Sequence, residues 1–242
     1  MRVQINTKEL TQMEIYKMIT DAKFAEAIKK IDILEKNGSF YKRAVNLINK
    51  GFEVDAYLFI LATWNFARFR YVVKDFDINN FKQTIENLSY NFDKLKDRNS
   101  RTINFDEFKE DIKKIFESLS LIKGIEYTGA SKIMHLKNRE VFIMWDGYIK
   151  GDKPRRYYNA LDIVKDKDWE FKKYNNTPED YFQFLKDMQE RFKNIRFQSN
   201  EKTFAKAIDE FNYVNITLPI QEMERNNKKL KKTNKKNEEK VK

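Results

Sequence analysis

The chain has 242 residues, 41% hydrophobic and 14% aromatic, enough apolar material to build a core without disulfides or metals. The absence of cysteine excludes thiolate metal sites and cysteine nucleophiles, and a single histidine argues against histidine-cluster metal sites and His-dependent triads. The formal charge of +11 favours polyanionic partners, yet residues 228–242, with eight lysines against Glu238 and Glu239, supply +6 of it and leave a body of +5.

Thr11-Gln12-Met13-Glu14 has capping-box spacing, with Leu10 and Ile15 at the staple positions. Ile15, Met18, Ile19 and Ala22, then Phe24, Ala27, Ile28 and Ile31, recur at steps of three and four and predict one or two amphipathic helices. Asn37-Gly38 reads as a turn, after which Ser39 caps a helix lined by Ala44, Leu47 and Ile48 and ended by Gly51. Residues 52–73 form the most apolar segment, expected as a central helix. Its far end, Trp64, Asn65, Phe66, Arg68, Phe69 and Arg70, mixes aromatics with cations, either to contact bases and phosphates or as core rings with snorkelling arginines. Asp77 caps a helix over Phe81, Ile85 and Leu88. Residues 94–101 are a loop, and Asn104 or Asp106 opens a helix through Phe108, Ile112, Ile115, Phe116 and Leu119.

Residues 151–156 read as a loop, Tyr158 to Val164 as a short helix, and the run to Asn176 as a charged connector. Thr177-Pro178-Glu179 is a helix start, with Tyr181, Phe182, Leu185, Met188 and Phe192 as the buried stripe. A last helix runs from about Glu201 to Tyr213. Helix follows helix without an alternating strand pattern, so the fold class is all-α, with residues 1–220 as a single domain and 221–242 as a disordered Lys-rich tail. No run approaches about 18 apolar residues and MRVQINTKEL lacks the core of a signal peptide, which leads to the expectation of a soluble cytoplasmic protein with no membrane association.

The chemistry concentrates in residues 121–150. Leu121-Ile122-Lys123-Gly124-Ile125 ends a helix on a glycine and Ala130 to Leu136 resumes helical spacing, a helix, hairpin and helix that would offer N–H groups to phosphate. Val141 to Trp145 then leads as an extended apolar segment to Asp146, with Gly147-Tyr148-Ile149 opening a further helix. Apolar neighbours would desolvate the Asp146 carboxylate while helix N–H groups hold it ionised, which suits a group that stabilises a developing cation. A simple N-cap accounts for the same residue.

Gly124-Ile125-Glu126-Tyr127-Thr128-Gly129-Ala130-Ser131-Lys132 followed by Phe142-Ile143-Met144-Trp145-Asp146 resembles the helix-hairpin-helix DNA glycosylase superfamily, in particular its 8-oxoguanine glycosylase-like branch or an uncharacterised relative of it. The resemblance is close over about thirty residues and loose over 52–195. It implies a two-lobed helical DNA glycosylase-like fold and DNA as partner, held by Lys123, Gly124, Tyr127, Thr128, Gly129 and Ser131, with a base flipped into a cleft. Asp146 would be the catalytic aspartate. Thr128 stands where bifunctional members carry a Schiff-base lysine, which argues against strand cleavage and leaves Lys132, one turn further on, as the substitute. Glu126 replaces the hairpin's usual second glycine. Arg155 and Arg156 are candidate phosphate contacts, Trp145 and Tyr148 candidate base-pocket residues, and His135 a structural histidine. No metal or cofactor is implied. The function expected is monofunctional removal of a damaged base in DNA repair. The alternatives are a non-catalytic nucleic-acid or protein-binding module that keeps the fold, and a helical interaction protein in which the motif is coincidental.

Overall fold

A computed structural model of the chain describes residues 19–36, 38–64, 66–161 and 172–241. The capping box at 11–14, Asn37, Asn65, the side chains of Phe66 and Arg68, and most of the connector, 162–171, lie outside the described residues.

Helix α1, Asp21–Leu34, starts where the Thr20 hydroxyl accepts from Lys23 N at 3.2 Å, and buries Phe24, Ala27 and Ile31 along one stripe. Helix α2, Phe40–Asn49, is capped by Ser39 as expected, and the chain leaves it through Gly51 at φ +86°. The apolar segment after it is two helices, α3 at Glu53–Trp64 and α4 at Phe66–Val72, running into a 3₁₀ turn at Val73–Asp75. Asp77 caps α5, Ile78–Asn87, and the short α6 covers Ser89–Asp93. Asn104 caps a 3₁₀ turn, Phe105–Phe108, that leads into α7, Lys109–Ser120. Then come α8, Glu126–Lys137, the short α9, Arg155–Tyr158, and α10, Pro178–Phe192, with Thr177 as its cap and Pro178 in its first turn. Helix α11, Phe204–Asn212, passes through a π-helical turn, Tyr213–Thr217, into α12, Leu218–Val241. There is no strand among the described residues, so the all-α expectation holds.

The α2–α3 hairpin, the α7–α8 pair, α10 on α7 and α11 on α1 form the packed body. Its centre is aromatic. Phe116 stacks on Tyr181 with ring centroids 4.5 Å apart, Trp145 meets Tyr181 edge-on at 5.1 Å, and Phe24 packs on Phe211 at 5.6 Å. Burying each such ring is worth about 1.5–3 kcal/mol, which explains why these helices hold together despite unremarkable local propensities. A smaller cluster, Tyr157, Tyr158, Leu161, Ile216 and Ile220, fastens the start of α12 to the 148–161 segment.

The expected central helix of 52–73 is thus two helices, the 151–156 loop gives way to a helix from Arg155, and two further regions differ from the sequence expectation. The hairpin of 124–129 is shorter than expected, because α8 begins at Glu126 and takes Tyr127, Thr128 and Gly129 into its first turn, with Gly129 N donating to Ile125 O at 3.0 Å. The reason lies at Gly124, where φ is +94° and an added Cβ would come within 2.3 Å of Val72 Cγ2. The chain presses against α4 there and must turn at once. Residues 221–241, expected to be a disordered tail, continue α12. Ile220 is fully buried at the root of that helix, and beyond Pro219 its Lys, Glu, Asn and Leu residues include no breaker.

Candidate functional site

Asp146 lies at the end of the extended run 142–146, which is threaded through the core. It caps a turn rather than a helix: Oδ1 accepts from Tyr148 N and Ile149 N, both at 2.8 Å, and Oδ2 accepts from the Thr217 hydroxyl at 3.0 Å. Burial raises its pKa, opposed by the Ile149 N–H bond, the Lys132 charge and the bonds from Thr217 and Tyr148. Thr217 belongs to the π-helical turn, so the carboxylate joins the 146–149 turn to the C-terminal helix.

Lys132 is buried on the inner face of α8, and its ammonium donates to Trp64 O, the last carbonyl of α3, at 2.9 Å. A cation at a helix C-terminus satisfies an orphan acceptor and meets the negative end of the dipole. Desolvation nevertheless lowers the Lys132 pKa to about 8, against the pull of Asp146 and Asp209.

Around this pair the helices are tied by further buried polar groups. His135, fully buried on α8, meets Phe142 O with Nδ1 at 2.6 Å and the Tyr41 hydroxyl with Nε2 at 2.9 Å. A carbonyl can only accept, so Nδ1 carries the proton, and the neutral ring accepts from Tyr41 through Nε2. Burial pushes the His135 pKa down to about 4 and the Tyr41 pKa up to about 12. Tyr41 lies parallel to Trp64 with centroids 6.1 Å apart, and the Lys206 ammonium sits 4.8 Å from the Tyr41 centroid and 5.3 Å from that of Trp64. Lys206 pairs with Asp209 at 2.7 Å and Glu210 at 3.5 Å, while Lys202 bridges Glu210 at 2.8 Å and Asp32 at 2.6 Å. Burial alone would lower the Lys206 pKa, but Asp209 and Glu210 outweigh it and hold the amine protonated. The network joins α1, α2, α3, α8 and α11. Its amines and carboxylates already have partners on the chain, so the arrangement can orient helices and hold charges.

The other residues singled out by sequence are scattered. Trp145 is core, its ring edge-on to Phe116 at 5.6 Å and its Nε1 donating to Tyr127 O at 3.2 Å. Ser131 is buried, with its hydroxyl 3.3 Å from both Trp145 O and Trp145 N, and Gly129 is buried within α8. Lys123 is exposed in the α7–α8 turn beside buried Gly124, and Tyr127 and Thr128 are half-buried. Arg155 and Arg156 are exposed on α9. Tyr148 is half-buried and donates to Glu224 at 3.0 Å. Asp146, Lys132, Ser131, Trp145, Tyr148 and, through its carbonyl, Tyr127 gather along the threaded segment. Sequence reasoning missed Tyr41, Trp64, Lys206, Asp209, Glu210 and Thr217. The lysine and two acids at three- and four-residue spacing on α11 were visible, but nothing in that spacing marks the face as buried.

Hollows among the described residues lie elsewhere. A groove of about 730 Å³ runs between α1, the start of α2 and the 199–202 loop, and a cavity of about 10 Å³ lies beside Asn212 and Tyr174. Neither is lined by Asp146 or Lys132. No group of three or more His, Cys, Asp or Glu among the described residues could hold a metal ion, and no described helix is long and apolar enough to cross a membrane.

No curated protein and no solved structure matches the chain. The p25-alpha family model matches residues 62–142, about a third of the chain, from the end of α3 through α8 to Phe142. That match covers the 124–132 run on which the glycosylase resemblance rests, and it overturns the resemblance, with DNA as partner, base excision and DNA repair. The physical reason agrees, since the phosphate-gripping hairpin is instead the closed first turn of α8. Over 62–142 the chain is similar to p25-alpha.

Proposed function

We propose that the chain is a non-catalytic, protein-binding helical module with a partner of the tubulin or microtubule type. The observation that carries this reading is the p25-alpha match over 62–142, a similarity that points to protein partners of that type. The site geometry supports the non-catalytic half. The Asp146 carboxylate is occupied by two backbone N–H groups and Thr217, and the Lys132 amine by Trp64 O. A buried network of this kind rigidifies a scaffold and suits a chain whose work is done on its surface.

Co-sedimentation of the full chain with stabilised microtubules tests the reading. A fraction pelleted that rises with polymer and saturates is expected. A chain that stays in the supernatant at every polymer concentration sinks the proposed partner.

A further inference from the structure

We propose that the Lys-rich half of α12 is a docking rod for an acidic protein surface, held in a fixed direction by a clamp at its base. The proposal rests on the protein-binding reading above and names the element that would do the binding.

The clamp is built on four residues of α12. Ile220 is fully buried among Tyr157, Tyr158, Leu161 and Ile216, and Met223 packs against the same cluster. One turn on, Glu224 accepts from the Tyr148 hydroxyl at 3.0 Å and pairs with the Lys153 ammonium at 3.0 Å, and that ammonium lies 4.4 Å from the Tyr148 ring centroid. Asn227 Nδ2 donates to the Tyr157 hydroxyl at 3.2 Å. Side chain by side chain, the helix is fastened as far as Asn227.

Beyond the clamp the character changes. Lys228, Lys229, Leu230 and Thr233 are exposed, and the helix runs on to Val241, about 20 Å at 1.5 Å per residue. Residues 228–242 carry eight lysines against Glu238 and Glu239. Helical register sets Lys228 three and four residues from Lys231 and Lys232, Lys231 four from Lys235, and Lys232 three and four from Lys235 and Lys236. Like charges at those spacings repel and weaken the helix. An apolar partner would leave that repulsion in place. An acidic one removes it, so binding and helix stability reinforce each other, and the clamp has already met part of the cost of ordering the rod. Attraction of this kind speeds encounter and weakens with salt. Because the p25-alpha match points to protein partners, the acidic surface is assigned to a protein and not to a nucleic acid.

The test measures binding of the full chain at low salt to three probes: poly-L-glutamate, stabilised microtubules and duplex DNA. One variant changes Lys228, Lys229, Lys231 and Lys232 to Gln. A second changes the same four to Arg. A third changes Lys29, Lys30, Lys74 and Lys82 to Gln, which removes the same charge from exposed positions elsewhere. For poly-L-glutamate the expectation is a loss of about tenfold in the first variant, little change in the second and no more than about twofold in the third. Far-ultraviolet circular dichroism should gain helical signal when poly-L-glutamate is added to the wild type and not to the first variant. Equal losses in the first and third variants, or no loss in either, overturn the rod. Duplex DNA bound more tightly than both acidic proteins through the same lysines overturns the assignment to a protein surface. Poly-L-glutamate bound through the rod while microtubules are not pelleted overturns the proposed partner and leaves the rod standing. Failure to bind either protein probe overturns both.

Discussion

Replacing Lys132 with methionine keeps the apolar stem in place and removes a buried cation. The Lys132 pKa falls from 10.5 to about 8 because burial penalises the charged form more than Asp146 and Asp209 restore it. At neutral pH the proton on Lys132 therefore costs the fold roughly 3 kcal/mol. Between pH 8 and pH 10.5 the folded chain has shed that proton while the unfolded chain still holds it, so the unfolded state binds more protons and stability rises with pH. From neutral pH to about pH 9.5 the relief is about 2 kcal/mol. The hydrogen bond to Trp64 O does not enter this difference, since a neutral amine still donates. Tyr41 and Tyr158, both raised to about 12, oppose the trend above their ordinary pKa, but they act equally in both chains. Urea unfolding of wild type and Lys132→Met at the two pH values isolates the effect. The stability of wild type relative to the variant should increase by about 2 kcal/mol on going to the higher pH. A difference that stays constant to within about 0.5 kcal/mol would show that Lys132 remains protonated throughout, and would refute the argument that desolvation dominates at this site.

Asp146→Ala strips the acceptor from Tyr148 N, Ile149 N and the Thr217 hydroxyl and should lower unfolding free energy by about 3 kcal/mol. Asp146→Asn keeps an oxygen for the two N–H groups and should stay within about 1 kcal/mol of wild type. Equal damage from both would mean that the charge, and not the bonding, holds the turn. For His135, whose pKa is lowered to about 4, stability should fall on acidification from its ordinary 6.5 toward 4, by up to about 1.4 kcal/mol per pH unit, because only the unfolded chain takes up the proton in that range. Nitrogen-edited NMR should find the neutral Nδ1–H tautomer persisting at pH 5, and a midpoint near 6.5 would rule this out. Gly124→Ala places a Cβ 2.3 Å from Val72 Cγ2 at φ +94° and should cost about 2 kcal/mol or more, read as a fall in Tm of roughly 5 °C. An unchanged Tm would mean that α4 moves aside freely.

The helical character of the chain was legible from local pattern. Ser39, Asp77, Asn104 and Thr177 with Pro178 cap helices or 3₁₀ turns where spacing said they would, because a cap depends on groups within three residues of one another. Asp146 was recognisable as an acid with apolar neighbours and N–H partners just ahead of it. What surrounds it is a property of the packed chain. Whether a carboxylate faces a cleft or a hydroxyl 71 residues away is set by Thr217, and no local signal points there. The same holds for Lys132, whose partner is a carbonyl 68 residues earlier, and for Lys206, whose ammonium lies against the rings of Tyr41 and Trp64 far away in the sequence.

The Lys-rich end shows the boundary from the other side. Its composition excludes a core of its own and its charge favours attraction to polyanions, and both statements follow from charge and hydropathy alone. Its helical form and its direction belong to the tertiary structure, since they depend on Ile220, Glu224 and Asn227 finding Tyr148, Lys153, Tyr157 and Tyr158. Periodicity and caps are properties of a few neighbouring residues, so the linear chain carries them. The commitment of a buried charge to one partner is a property of distant segments brought together, and only the packed molecule decides it.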